Sequence, residues 1–218
     1  GTAVDGVGVS VAKSIINPHD RFATLDETLR LVPAEVGFVI EVKYPAERFQ
    51  ISSQMRYAER NAYADAVLTS VFNAMKNPQQ GSRKIMLISF DPDLCVLLSQ
   101  KQPRFPVFFL LSLGNGIPVG PNDDEVEGYD PRCQSIDMAI KFARNVRLQG
   151  IICDAKSVLK SIEPSFDLSS SSSSSSSPSF PSLVHDAGLM LMTYGAENME
   201  ADKRQAQKSA GVDTLIMD

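Results

Sequence analysis

Short, nearly continuous apolar runs recur along the chain, and the stretches between them have helical spacing. The first clear run is Val36 to Tyr44, bounded by Pro33 and Pro45 and rich in β-branched and aromatic residues, which predicts a strand. From Ala58 to Lys76, the positions Ala62, Ala66, Val67, Val71 and Met75 fall at helical spacing and predict a helix. Lys84 to Phe90 reads as a second strand. Asp91 is placed to cap a helix running to Gln102, with Pro92 at its first position. Pro106 to Leu111 is a third strand, and a Gly-, Pro- and Asp-rich loop follows from Ser112 to Pro131. A helix from Ser135 to Arg147 leads to the strand Gly150 to Cys153. Leu189 to Tyr194 is a fifth strand, Ala201 to Ala210 a polar helix ended by Gly211, and Thr214 to Met217 a sixth strand.

Strands that are apolar at nearly every position are covered on both faces, as in parallel sheets buried among helices. Alternating strands and helices then leave two architectures: an open doubly wound sheet or a closed barrel. No Gly-x-Gly-x-x-Gly follows any strand, which weighs against a dinucleotide-binding sheet. The expectation is an α/β fold of the (β/α)8 TIM-barrel type in which the first two strand units are missing. Residues 1–21 are read as an irregular N-terminal segment and 22–218 as the barrel domain. The start at Gly1 and the stop on an apolar run at Asp218 read as cuts inside a longer protein.

Composition narrows the function classes. The 218 residues are 43% hydrophobic, enough for one core and too few for two large domains. A net charge of -5 disfavours a nucleic-acid partner, which calls for a basic surplus. No apolar run approaches the roughly 20 residues of a membrane span. Cys95, Cys133 and Cys153 are widely spaced and lie among apolar residues. They are expected to be buried free thiols rather than a disulfide or zinc set, in keeping with a cytoplasmic setting.

One segment breaks the pattern. Ser169 to Ser177 is an unbroken serine run, inside a Ser- and Pro-rich insertion at about 164–181. It offers no apolar area to offset the ordering of its chain and is expected to be a dispensable, disordered surface insertion. Multisite phosphorylation is the functional alternative.

Glu41 and Lys43 carry the sharpest chemical signal. Alternation puts Val39, Glu41 and Lys43 on one face of their strand and Ile40 and Val42 on the other. Two ionisable groups facing a barrel interior are costly unless they pair or serve a site. They sit at the C-terminal end of the strand, where such barrels hold their active sites. The functional reading is a carboxylate for a hard divalent cation, Mg or Ca, beside an ammonium that neutralises a phosphate. The competing reading is a strand that frays early and leaves both side chains in water.

These segments together resemble the glycerophosphodiester phosphodiesterase family. Glu41-Val42-Lys43 resembles its Glu-x-Lys strand, and Phe22-Ala23-Thr24-Leu25 its Phe-Pro-Thr-Leu helix start. Ser89-Phe90 resembles its Ser-Phe strand end. Gln100 to Leu110 is similar to the eukaryotic cytosolic branch, which includes glycerophosphocholine phosphodiesterases and fungal proteins with an N-terminal regulatory module. His185 to Leu189, Thr193-Tyr194-Gly195 with Asn198, and Gly211 to Asp218 resemble the family's later motifs. The resemblance implies metal-dependent hydrolysis of a small glycerophosphodiester, such as glycerophosphocholine, to glycerol 3-phosphate and an alcohol. It implies Glu41 as a metal ligand, Lys43 as the phosphate-contacting catalytic residue, and Phe90 and Tyr194 as pocket lining, with Tyr194 in place of a common Trp.

The family's His-Arg element, Glu-x-Asp pair and His-Asp element precede the position of Phe22, and the 21 residues before it do not accommodate them. His19 is read as a loop histidine and His185 as a structural one facing the far end of the barrel. Asp91 and Asp93 are explained by capping, and the acidic loop Asn122 to Glu127 as a solvated surface. Two other functions stay open: a non-catalytic barrel module of a phosphate-signalling regulator, and an unrelated barrel enzyme such as an aldolase using Lys43 as a Schiff-base nucleophile.

Overall fold

Polar side chains fix where the helices start. In the computed structural model, which describes residues 22–45, 50, 56–78, 81–112, 130–163 and 178–217, Thr24 and Glu27 form a reciprocal capping box at the head of helix α1 (Leu25–Leu31). Strand β1 is Phe38–Glu41. Helix α2 (Arg60–Met75) begins where the Glu59 carboxylate accepts the amides of Asn61 and Ala62. Strand β2 (Ile85–Ser89) ends at Asp91, whose carboxylate accepts the Leu94 amide and caps α3 (Pro92–Lys101). Strand β3 is Val107–Leu111. A 3-10 turn at Pro131–Cys133 precedes α4 (Ile136–Asn145), capped by Ser135. Strand β4 (Gly150–Asp154) runs directly into α5 (Ala155–Ile162), and α6 (Phe180–Asp186) returns the chain to β5 (Met190–Tyr194). A 3-10 turn at Ala196–Met199, α7 (Ala201–Ser209) and β6 (Thr214–Leu215) complete the order.

All strand pairs are parallel, and the sheet order is β1-β2-β3-β4-β5-β6. Each strand lies beside the next in sequence, with helices in the connections. This is the order of a barrel wall rather than of a doubly wound sheet, where the order reverses. Among the described residues the wall is open: β1 and β6 each pair with one neighbour.

The period of two divides the sheet into two faces. Leu87, Phe109, Leu111, Ile151, Cys153 and Leu191 face the helices and join one core with Leu94, Leu98, Ala139, Ala143, Val158 and Val184. Phe109 packs edge-on against Phe142 of α4, their rings 4.9 Å apart. Ile88, Phe108, Leu110, Ile152 and Met192 form a second cluster on the opposite, inner face. Burying a side chain of this size contributes about 1.5–3 kcal/mol, so the continuous apolar character of the strands follows from two cores, not one. Gly150 opens β4 because a Cβ there would run into the Met190 carbonyl and lie 2.7 Å from the Phe108 ring.

Several expected boundaries move. The strand expected over Val36 to Tyr44 is regular only from Phe38 to Glu41, although the Val42 amide still donates to the Ile88 carbonyl at 2.8 Å. The helix expected to reach Arg147 stops at Asn145, because Arg147 takes a left-handed conformation (φ 59°) and turns the chain toward β4. Helix α5 was not expected. It is short, and its apolar stripe runs straight into the serine-rich insertion, which hides its period. That serine run and most of the Ser112 to Pro131 loop lie outside the described residues, as do residues 1–21.

Candidate active-site rim

In a parallel wall every strand delivers its C-terminal end to the same rim. On the inner face that rim receives Glu41 from β1, Phe90 just past β2, Asp154 from β4 and Tyr194 from β5. Glu41 lies opposite Ile88 in register, and Asp154 opposite Tyr194.

Glu41 and Lys43 are brought together. The Lys43 ammonium donates to Glu41 Oε1 at 2.7 Å, with side-chain exposures of 78% for the lysine and 30% for the glutamate. Lys43 lies beyond the last residue of β1, so it stands at the mouth of the wall and not within its interior. A charge this exposed avoids the desolvation cost of a buried pair. It is also free to leave Glu41 for a phosphate without abandoning a buried partner.

Ser89 holds this end in place. Its hydroxyl, fully buried, donates to the Val42 carbonyl at 2.7 Å and accepts the Asp91 amide at 3.1 Å. One side chain thus ties the strand end between Glu41 and Lys43 to the start of α3. Sequence reasoning noted Ser89 only as part of a motif; a polar residue closing an apolar strand was the available signal.

Phe90 and Tyr194 also meet, although one follows β2 and the other ends β5. Their rings are 6.1 Å apart and nearly perpendicular, a favourable edge-to-face arrangement. The Tyr194 hydroxyl donates to the Leu111 carbonyl at 3.1 Å. This bond leans the ring across the inner face and leaves its hydroxyl occupied. Asn198, fully buried, braces the same end: its amide nitrogen donates to the Thr193 and Ile216 carbonyls at 3.0 and 2.8 Å, and its oxygen accepts from Gln207 at 2.9 Å.

Asp154 was missed. It is nearly buried, and one carboxylate oxygen accepts the Ser157 amide at 2.8 Å to cap α5. An aspartate ending an apolar run before a helix was its signal.

The aspartates after β2 do more than cap. Asp93 receives Arg60 at 3.1 Å and Arg132 at 2.6 Å, and Asp91 receives Arg60 at 3.1 Å. Arg132 also binds Asp130 at 2.6 Å, and this guanidinium holds the Asp130 carboxyl below the usual carboxylate range. The cluster clamps the heads of α2 and α3 to the 3-10 turn behind the rim. His185, the one histidine among the described residues, is at the opposite end of the wall. It contacts Asp213 at 3.0 Å, and Asp213 also accepts the Leu191 amide at 2.8 Å. Cys95, Cys133 and Cys153 are buried and unbridged.

Glu41 has the hard oxygen chemistry suited to a calcium or magnesium ion. Among the described residues no group of three or more His, Cys, Asp or Glu side chains is placed to hold a metal. Glu41 therefore fits as a single ligand of such an ion and not as a complete site. His19 and the acidic loop Asn122 to Glu127 lie outside the described residues. No helix among the described residues is long and apolar enough to cross a membrane.

Comparison with known proteins identifies the family. Residues 5–218 match the model of the glycerophosphoryl diester phosphodiesterase family. Glycerophosphocholine phosphodiesterase GDE1 of Candida albicans is 33% identical over 90% of this chain, which spans 14% of that protein. Glycerophosphocholine phosphodiesterase GPCPD1 of Rattus norvegicus is 27% identical over 90% of the chain, which spans 26% of it. A solved structure of a Silicibacter pomeroyi protein named for the same family superposes with a TM-score of 0.51 at 19% identity. The superposition covers 83% of this chain and 46% of that one, and it shows the fold alone.

Proposed function

Because the chain belongs to the glycerophosphoryl diester phosphodiesterase family, we propose that its rim serves hydrolysis of a small glycerophosphodiester in the whole protein. The substrate is of the glycerophosphocholine kind, in keeping with the names of its relatives, and the products are glycerol 3-phosphate and the free alcohol. The observation that carries this reading is the Glu41–Lys43 pair at the mouth of the wall, 2.7 Å apart, with the lysine open to solvent and the glutamate partly covered.

Lys43 binds the phosphate. Its ammonium lies where a diester approaching the rim would present its anionic oxygens, and charge accumulates on those oxygens as the phosphorus is attacked. A cation aimed at them lowers the barrier more than it tightens ground-state binding. Phe90 and Tyr194 give the substrate an apolar wall, with the Tyr194 hydroxyl tied back so that the ring, not the phenol, faces the site. Glu41 would hold a magnesium or calcium ion together with donors outside the described residues. When bound, such an ion neutralises phosphoryl oxygens. The proton transfers need an acid and a base, and His185, at the other end of the wall, supplies neither. Because the chain spans only 14% and 26% of the relatives above, the activity is assigned to the whole protein.

The alternative reading is a non-catalytic barrel module of a phosphate-signalling regulator. Release of glycerol 3-phosphate from glycerophosphocholine by the whole protein decides between them. Turnover lost in Lys43→Met supports the enzyme. Binding of the diester with no turnover in the unaltered protein supports the module. An aldolase using Lys43 would be trapped by borohydride with a carbonyl substrate.

A further inference from the structure

The inner rim changes chemical character from one side to the other. On the β1 side Lys43 stands at the mouth, paired with Glu41. The side toward β4 and β5 is aromatic and acidic. Phe90 and Tyr194 rest on the buried inner cluster, and both stay half-buried, so part of each ring is open. Their planes meet at 89° with the ring centres 6.1 Å apart, which makes two walls of a corner. Asp154 lies opposite Tyr194 in register. It is only 9% exposed, and one of its carboxylate oxygens is held by the Ser157 amide.

We propose that this corner is the subsite for the alcohol head group and that it selects a quaternary ammonium, the trimethylammonium of a choline head. Phe90 and Tyr194 touch the cation, and Asp154 supplies negative charge from beside Tyr194. The inference rests on the hydrolytic reading above and deepens it by naming the groups that choose the head. Aromatic faces attract a cation through their quadrupole when it lies within about 6 Å of a ring centre. A trimethylammonium has no N–H to donate, so ring surface and a nearby field suit it better than a hydrogen-bond acceptor does. A buried carboxylate provides such a field, because charges interact more strongly across a low-dielectric interior than through water.

Other heads fit the corner less well. A primary ammonium is strongly hydrated and calls for open acceptors at contact distance, whereas Asp154 is nearly buried and already caps α5. A neutral polyol calls for hydroxyl partners, and the Tyr194 hydroxyl donates instead to the Leu111 carbonyl. A choline diester is a zwitterion, anionic at the phosphate and cationic at the head. The rim carries its groups in the same order, Lys43 on the β1 side and the rings with Asp154 toward β5.

Diesters that differ only in the head test this on the whole protein: glycerophosphocholine, glycerophosphoethanolamine and glycerophosphoglycerol. The unaltered protein is expected to prefer the choline diester by kcat/KM. In Tyr194→Leu and Phe90→Leu the preference for the choline head over the glycerol head falls about tenfold, the size of a desolvated cation–π contact. Tyr194→Phe retains the preference, because the ring remains. Asp154→Asn, which keeps an acceptor for the Ser157 amide, lowers the preference about threefold through the lost charge. Each preference is a ratio within one preparation, so partial unfolding of a variant cancels, and Asp154→Asn decides if a leucine variant does not fold. Equal losses for all the diesters overturn the proposal by making the rings a common wall. A preference for the ethanolamine head in the unaltered protein also overturns it. Absence of turnover with every diester defeats the hydrolytic reading instead, and calorimetric binding of the same diesters then decides the subsite: a choline preference that falls in the leucine variants supports it, and equal affinities overturn it.

Discussion

Glu41 and Lys43, two residues apart on one face of the chain, form an ion pair of 2.7 Å at the rim of the wall. Ser89 secures the strand end between them through the Val42 carbonyl. The pair is local in sequence, and its position over the inner face is not. Exposed pairs of this kind contribute about 0.2–1 kcal/mol to stability, so the pair is better suited to meeting a ligand than to holding the fold.

Lys43→Met is expected to lower turnover of glycerophosphocholine by the whole protein on the order of 100-fold, through lost charge stabilisation. Its melting temperature stays within about 2 °C, because the ammonium is exposed. Steady-state kinetics and a thermal melt separate the two effects. A changed melt with normal kinetics returns Lys43 to a structural role.

Glu41→Gln keeps the size and removes the charge. In the whole protein, affinity for calcium or magnesium is expected to fall on the order of tenfold or more, read by calorimetric titration. Unchanged affinity excludes Glu41 as a ligand.

Phe90→Ala and Tyr194→Ala each remove one ring of the perpendicular pair. Both are expected to raise KM for the diester, with Phe90→Ala also costing about 2–4 kcal/mol of stability by emptying part of the inner cluster. Tyr194→Phe loses only the bond to the Leu111 carbonyl, worth about 1 kcal/mol. It should keep most activity. An equal loss in Tyr194→Phe and Tyr194→Ala would give the hydroxyl, not the ring, the working role.

Asp130 is held below its ordinary value first by its hydrogen bonds to Arg132, against a smaller opposing effect of burial. A carboxyl depressed on folding adds stability above its unfolded pKa, and that stability is lost as pH falls through the folded value. Asp130→Asn is therefore expected to lower stability by about 0.5–1 kcal/mol at neutral pH and to make denaturation less steep below about pH 4. Chemical denaturation at neutral and acid pH checks this; parallel curves for the two proteins would refute it.

Cys95 and Cys153 are buried, and burial pushes both thiols well above their usual value. Neither is expected to react with iodoacetamide in the folded chain on the timescale of a free thiol, which is thiolate-driven. Mass spectrometry before and after denaturation reads the difference.

The fold was legible in the sequence where local rules suffice. Six apolar runs gave six strands, because a strand covered on both faces must be apolar at every position. Asp91 and Ser135 capped the helices that follow them because a carboxylate or hydroxyl beside free amides satisfies them locally. Glu41 and Lys43 stood out because ionisable groups interrupt an apolar alternation. What joins distant segments was not legible. Ser89 reaches Val42 across 47 positions and Tyr194 reaches Leu111 across 83. Arg132 reaches Asp93 across 39, which turned a read helix cap into a clamp. Such contacts depend on how the parallel strands are stacked and staggered, and no periodicity within one segment encodes that stagger. The sequence determined which residues lie on which face; only the tertiary structure decided which faces meet, because side chains pair through space set by strand register rather than by distance along the chain.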